Sequence, residues 1–477
     1  MTDQEHVMAH RQGPPDTERL EDPPTSRTFL QGLGHVIVTF TSAIFAFLYL
    51  FILLICAQIT AVGAPRTKRD PNVKLTKAQR ALHRNLKYYI ELAGFELESH
   101  DLWSPDNFQL DVTRIVSPQA VLDNEKTSNL KQRYPVLLLP GLMQHVGAYC
   151  SAGPDAMALM LHRAGFDVWL GNTRSSIKVH NRQYSEMSHK TWDWSIENMA
   201  LTDVPAIIEY IKKHTGAEKI AVVGHSQGTT QTFMCLSKQG RPDVGHSIST
   251  FCALAPAVFA GPAIDRWFLK LLRRHRWAYR SMMGDRAFLG IMGALRSITP
   301  LKLYTHAAYN MFYYMLSWSD KLWDRHYRNR SFIFTPSVVS SSLMFWWLGK
   351  GGFADTRCIF KNPEKNESWF DERFPKVGLF TCGQDNLCDP EPLKRRMATV
   401  ESHVPYTVFD YPDYAHLDVM WAKDVPERVT APMGAFIWEN LDDKDHWREP
   451  VWPTAGSVPP EPAVNPATKE PDYEVVP

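Results

Sequence analysis

Paired cysteines, a charge excess of one sign and metal-ligand spacing are all missing from this chain. Its seven cysteines, Cys56, Cys150, Cys235, Cys252, Cys358, Cys382 and Cys388, are scattered, odd in number and free of any CxxC pair. That argues against a disulfide framework and against a CxxC-type metal site. It fits buried free thiols in a reducing compartment. The net charge is +1 over 477 residues, which argues against a nucleic-acid partner and provides no global steering field. His180 and His189 are the closest histidine pair in their region and lack ligand spacing, so neither a metal nor a cofactor is expected. The sequons Asn329-Arg330-Ser331 and Asn366-Glu367-Ser368 are near background for this length and say little about secretion.

What the chain does have is length for a sizeable core, 15 Trp, 33 Pro and one long uncharged run. Residues 1–33 are polar, acidic and Pro-containing, with little to bury, and read as disordered. Then follows VIVTFTSAIFAFLYLFILLICAQITAV, Val36 to Val62, without a charge. Roughly 20 apolar residues span a bilayer, and the apolar region of a cleaved signal is only about 7–15 long behind a basic start. A retained, single-pass transmembrane anchor over 34–64 is therefore expected, with a hairpin or monolayer insertion left open. Arg66, Lys68, Arg69, Lys74, Lys77 and Arg80 crowd its C-terminal side, against Arg19 and Arg27 before it. The positive-inside rule then puts the large C-terminal part in the cytosol.

From Leu82 onward the pattern is globular. Leu86 to Ala93 reads as a helix closed by Gly94, and Phe95–Trp103 with Phe108–Ile115 as a hairpin over Ser104-Pro105-Asp106-Asn107. Pro135–Gly141, Phe166–Leu170, Ile220–Val223 and Thr250–Pro256 are apolar strands of the kind helices cover on both faces. Helices are expected between them over Asp155–Arg163 and Val204–Lys213, the second capped by Asp203. Strands alternating with helices at this spacing predict an α/β domain with a mainly parallel sheet. The rhythm breaks over 258–372, a helical, aromatic and basic insertion. There Ile264, Trp267, Phe268, Leu271 and Leu272 would share one helix face, packed on the domain or against lipid. Strands resume at Val377–Thr381 and Thr407–Asp410, and a Pro-rich tail is expected over 448–477.

One stretch organises the rest. Ile220 to Val223 runs into Gly224-His225-Ser226-Gln227-Gly228 and then into a helix start, the strand–turn–helix context of a nucleophile elbow with Ser226 at its tip. The pentapeptide alone is weak evidence, since chance supplies it in roughly one chain in ten of this size. A serine hydroxyl also needs a base, and the base an orienting carboxylate. In this fold they follow in the order Ser, acid, His. Asp385 lies just after the Val377–Thr381 strand and His416 after the last one. Asp389 competes as the acid, but Pro390 beside it fits a turn and favours Asp385. The oxyanion donors would be the backbone N–H groups of Gln227 and of Leu142 or Met143, with Leu142 preferred.

With these residues in place, the chain from about Leu86 to Val425 resembles the acid lipase family of α/β-hydrolases, which includes lysosomal and gastric lipases and fungal steryl ester hydrolases. Gly94 to Arg114, Pro140-Gly141-Leu142, Gly171-Asn172-Thr173-Arg174 and Trp192-Asp193-Trp194-Ser195 followed by Asp203, Pro205 and Ala206 carry the first half of the likeness. Gly224 to Gly228, Gly383 to Pro390 and His416-Leu417-Asp418 complete it. The resemblance implies an α/β-hydrolase fold with a core over 82–257 and 373–447 and a helical cap over 258–372. It implies Ser226 as nucleophile, Asp385 as acid and His416 as base. Pro140 stands where the family often has a histidine, and Ser175 where it often has a second glycine. The cap around Ser341–Trp347 departs from the lysosomal pattern. The uncleaved anchor is closer to the membrane-bound steryl ester hydrolases. The implied activity is a steryl esterase working on neutral lipid at a membrane or lipid-droplet surface. A triacylglycerol lipase or an acyltransferase on the same triad are the alternatives.

Overall fold

Eight strands form one sheet in the order β1-β2-β4-β3-β5-β6-β7-β8. The computed structural model describes residues 29–63 and 67–453; the rest of the expected N-terminal segment and tail lies outside the described residues. The chain begins with α1 (Phe29–Val62) and α2 (Leu86–Leu92), the latter capped by Asn85, whose side chain accepts from Lys87 N–H. The hairpin follows as β1 (Glu96–Trp103) and β2 (Gln109–Val116), paired antiparallel from Glu96 opposite Val116 to Trp103 opposite Gln109. Then come β3 (Pro135–Leu139), α3 (Met157–Ala164), β4 (Asp167–Gly171) and α4 (Val204–Thr215). The elbow unit β5 (Ile220–His225) and α5 (Gln227–Leu236) leads to β6 (Ile248–Leu254).

The insertion supplies α6 (Trp267–Leu272), α7 (Arg276–Met283), α8 (Leu301–Leu316) and α9 (Ser341–Leu348). The sheet resumes with β7 (Lys376–Cys382), α10 (Glu391–Ala398), β8 (Tyr406–Tyr411) and α11 (Ala431–Glu439). From β4 to β8 every pairing is parallel. β3, β4 and β5 are buried along their whole length. This explains why they read as unbroken aliphatic runs rather than alternating ones. Parallel strands deliver all their C-terminal ends to one edge, and the loops after β3, β5, β7 and β8 meet there.

Several expectations shift. Helix α1 begins at Phe29, before the expected boundary at 34. The chain stays packed past 448: Arg448 pairs with Glu125 at 2.7 Å, Val451 N–H reaches the Ala164 carbonyl at 2.8 Å, and Trp452 lies beside Phe166. Asp203 does not cap α4. A π-helical turn, Met199–Asp203, runs straight into that helix, and the carboxylate accepts from the backbone N–H and guanidinium of the buried Arg174 at 2.6–3.1 Å. A buried guanidinium needs its partner more than a helix end does. The single amphipathic helix expected near 264–272 is short and broken before His275. It buries Phe268, Leu269 and Leu272 but leaves Trp267 54% exposed.

Candidate active site

Ser226 sits between β5 and α5 at φ 52°, ψ −116°, a conformation an L-residue adopts only when its surroundings enforce it. They do so here because strand and helix nearly touch. A Cβ on Gly224 would lie 2.7 Å from the Gly228 carbonyl carbon, and one on Gly228 2.5 Å from the Leu139 oxygen. Ser226 N–H is held by the Leu254 carbonyl at 3.0 Å, and its own carbonyl accepts from Thr229 N–H at 2.8 Å. The turn is thus pinned to β6 on one side and to its helix on the other.

Asp385 and His416 arrive from the loops after β7 and β8. Their side chains are 2% exposed, and Asp385 Oδ2 meets His416 Nδ1 at 2.6 Å. The other carboxylate oxygen accepts from the N–H groups of Leu387 at 2.8 Å and Cys388 at 3.0 Å, which fixes its direction. Asp389 instead accepts from Glu391 N–H at 3.0 Å, closing the turn into α10. Cys388 lies within ligand reach of the same pair, but burial pushes its thiol far up, so it stays protonated.

The elbow and the His416 loop are joined by His225. Its Nε2 is 3.0 Å from the His416 carbonyl and its Nδ1 2.9 Å from Gln144 Oε1, which also accepts from Gly141 N–H at 3.0 Å. Burial holds the His225 imidazole well below its usual pKa and therefore neutral. A neutral ring donates through one nitrogen only, so it can serve only one of these two carbonyl acceptors at a time. Gly141 to Gln144 forms a turn with Met143 at φ 58°. A Cβ on Gly141 would sit 3.1 Å from Ser226 Cβ, so Leu142 N–H follows directly beside the nucleophile. Among the described residues, neither Leu142 N–H nor Gln227 N–H has a hydrogen-bond partner. Two free donors beside a serine can hold a developing oxyanion.

The cap closes over this group. Trp318 stacks on His416, ring centroids 5.3 Å apart and planes 10° off parallel, and Trp347 Nε1 donates to Gln227 Oε1 at 2.8 Å. Beside the oxyanion turn, whose Met143 carbonyl accepts from Ser337 N–H at 2.6 Å, lies a cavity of about 370 Å³. Phe288, Leu289, Met292 and Val338 are among its lining residues. Motif reading named Ser226, Asp385 and His416, which the structure brings to the same sheet edge. It missed Gln144, Trp318 and Trp347, for which no sequence signal exists. Glu98, His100 and His214 also gather within ligand reach, far from these groups on β1 and the end of α4. Their spacing is invisible along the chain, and the Arg114 guanidinium, 3.5 Å from Glu98 Oε2, shares that carboxylate.

Comparison with known proteins agrees with the geometry. Residues 134–287 match the model of the alpha/beta hydrolase fold, and residues 86–153 that of the partial alpha/beta-hydrolase lipase region. Sterol esterase 2 of Saccharomyces cerevisiae is 33% identical over 415 residues, covering 78% of this chain and 75% of that protein. The chain belongs to the acid lipase family of α/β-hydrolases. Human gastric triacylglycerol lipase is 26% identical over 75% of this chain and 91% of its own length. Human lipase member J is 26% identical over 75% and 100%. This family member is a carboxylic ester hydrolase. It also carries a helix, Phe40–Val62, long and apolar enough to cross a membrane.

Proposed function

We propose that the chain hydrolyses steryl esters to sterol and fatty acid through an acyl-enzyme, with Ser226 as nucleophile. The observation that carries the reading is the 2.6 Å Asp385–His416 pair set beside a serine in a strained elbow. His416 Nε2 takes the Ser226 proton as Oγ adds to the ester carbonyl. Asp385 keeps the opposite nitrogen protonated and steadies the imidazolium. The N–H groups of Gln227 and Leu142 hold the oxyanion. His416 then gives its proton to the departing sterol oxygen, and the Ser226 acyl ester remains. Water, deprotonated by the same histidine, releases the fatty acid and restores the serine. No metal or cofactor enters this scheme.

The likeness to a sterol esterase supports sterol as the alcohol. The likeness to gastric triacylglycerol lipase favours glycerides as the second reading. The apolar helix and the basic residues after it support attachment to a membrane or lipid-droplet surface from the cytosolic side. The deciding experiment offers matched emulsions of cholesteryl oleate and trioleoylglycerol to the full chain and to Ser226→Ala. Preference for the steryl ester, abolished in the variant, is the expected result. A glyceride preference moves the function to the second reading, and full activity of the variant removes Ser226 from the mechanism.

A further inference from the structure

Helix α1 is not a free-standing rod. Ser42, Ala46, Tyr49, Leu53, Ala57 and Ala61, spaced three or four apart, are each at most 8% exposed. This stripe packs on α7 and α8 of the cap. Polar contacts pin it along its length. Ser42 faces Gly284 closely enough that a Cβ there would be 3.7 Å from its own. Tyr49 Oη donates to the Phe268 carbonyl at 3.1 Å, and Gln58 Oε1 accepts from Asn310 Nδ2 at 2.8 Å. Just beyond the helix, Thr67 Oγ1 donates to the Asp320 carbonyl at 2.6 Å.

Both ends of the apolar stretch therefore lie against charged, solvated protein. Near the Ser42 end, α7 carries Arg280, with a side chain 53% exposed and paired with Asp285, and a turn earlier on the same helix Arg276 is 66% exposed near Asp193. At the other end come the exposed Lys68, Arg69 and Asp70. A helix crossing a bilayer along its axis would put one of these groups on the far side and draw the cap through the hydrocarbon, where charged side chains are costly. From Phe47 to Ile59 the face turned away from the cap is apolar: Phe47, Leu48, Phe51, Ile52, Ile55 and Ile59 are 42–69% exposed. Trp267 and Trp277, on α6 and α7, are 54% and 75% exposed, and indoles favour the interface. Lys270, Arg274 and Lys302, on and beside the cap helices, are exposed cations of the kind that meet lipid headgroups.

We propose that α1 lies in the plane of a single phospholipid leaflet, with its outer face and the cap forming one docking surface, so that both ends stay on the same side. Helix α8 underlies α1 and leads to Trp318, which stacks on His416. The element that meets the lipid is then two residues from a side chain that covers His416. The inference rests on the membrane attachment proposed above but not on the identity of the ester.

The full chain carrying an epitope at each end, in sealed microsomes, tests this by protease protection. The two epitopes should be lost together or protected together. Loss of one with protection of the other overturns the in-plane arrangement. The same protein should float with trioleoylglycerol droplets covered by a phosphatidylcholine–phosphatidylserine monolayer, which offers no second aqueous phase to a spanning helix. Flotation should fall at least tenfold in Phe51→Asp with Ile55→Asp, two substitutions on the outward face. A wild-type chain that stays in solution also overturns the proposal. Hydrolysis of a soluble short-chain ester by each preparation reports the catalytic reading separately, so failure of one is distinguishable from failure of the other.

Discussion

Asp385 and Asp389 are four residues apart in one loop, yet only Asp385 reaches His416. Asp385 spends one oxygen on two backbone N–H groups, which leaves the other aimed at Nδ1. Asp385→Asn keeps the shape but offers the imidazole an amide, which stabilises the wrong tautomer. A fall in kcat of about three to four orders of magnitude is expected, with the fold intact by circular dichroism. A loss under tenfold would show that the pair is structural. Ser226, Asp385 and His416 were readable in the sequence because each is tied to a strand end and a fixed chain order. Gln144 and His225 were not: their roles depend on a three-way approach of the Gly141 turn, the elbow and the His416 carbonyl, which no spacing encodes.

At the scale of elements, the elbow turns on how closely β3, β5 and α5 pack. The Gly228 position leaves no room for a methyl, since Leu139 backbone atoms stand at 2.5 and 3.0 Å. Both are main-chain atoms of a fully buried strand and cannot swing aside. Gly228→Ala should therefore destabilise the chain by about 1–3 kcal/mol, as other small-to-large core changes do. The urea midpoint measures it, and an unchanged midpoint would mean that helix and strand are not in contact here. The strands were legible because helices on both faces force unbroken apolar runs. The break between α6 and α7 and the departure of Asp203 from its cap were not, because tertiary partners decided both. Helix α1 was legible by length, but which of its faces meets protein depends on Gly284, Phe268 and Asn310, more than 200 residues away along the chain.

At the scale of the molecule, cap and core are latched next to His416. Asp418, two residues after His416, accepts from Trp323 Nε1 of the cap at 2.6 Å and from Ala415 N–H at 2.7 Å. Burial outweighs these hydrogen bonds and pushes its carboxyl up to about 6. A carboxyl raised above its unfolded value favours the folded state most when protonated. Its contribution is complete below the unfolded pKa of about 4 and is lost as pH rises through about 6, a swing of about 3 kcal/mol. Other carboxylates run the opposite way: His145 and Arg174 hold Asp111 and Asp106 low, so the total stability curve mixes both signs. The difference between wild type and Asp418→Asn separates this one. Unfolding free energies from urea titrations between pH 4 and pH 7 should show the variant gaining on wild type with rising pH, most steeply near pH 5 and levelling off above 6. A difference independent of pH would place Asp418 in water rather than in a buried site where ionising the carboxyl costs stability despite the Trp323 hydrogen bond.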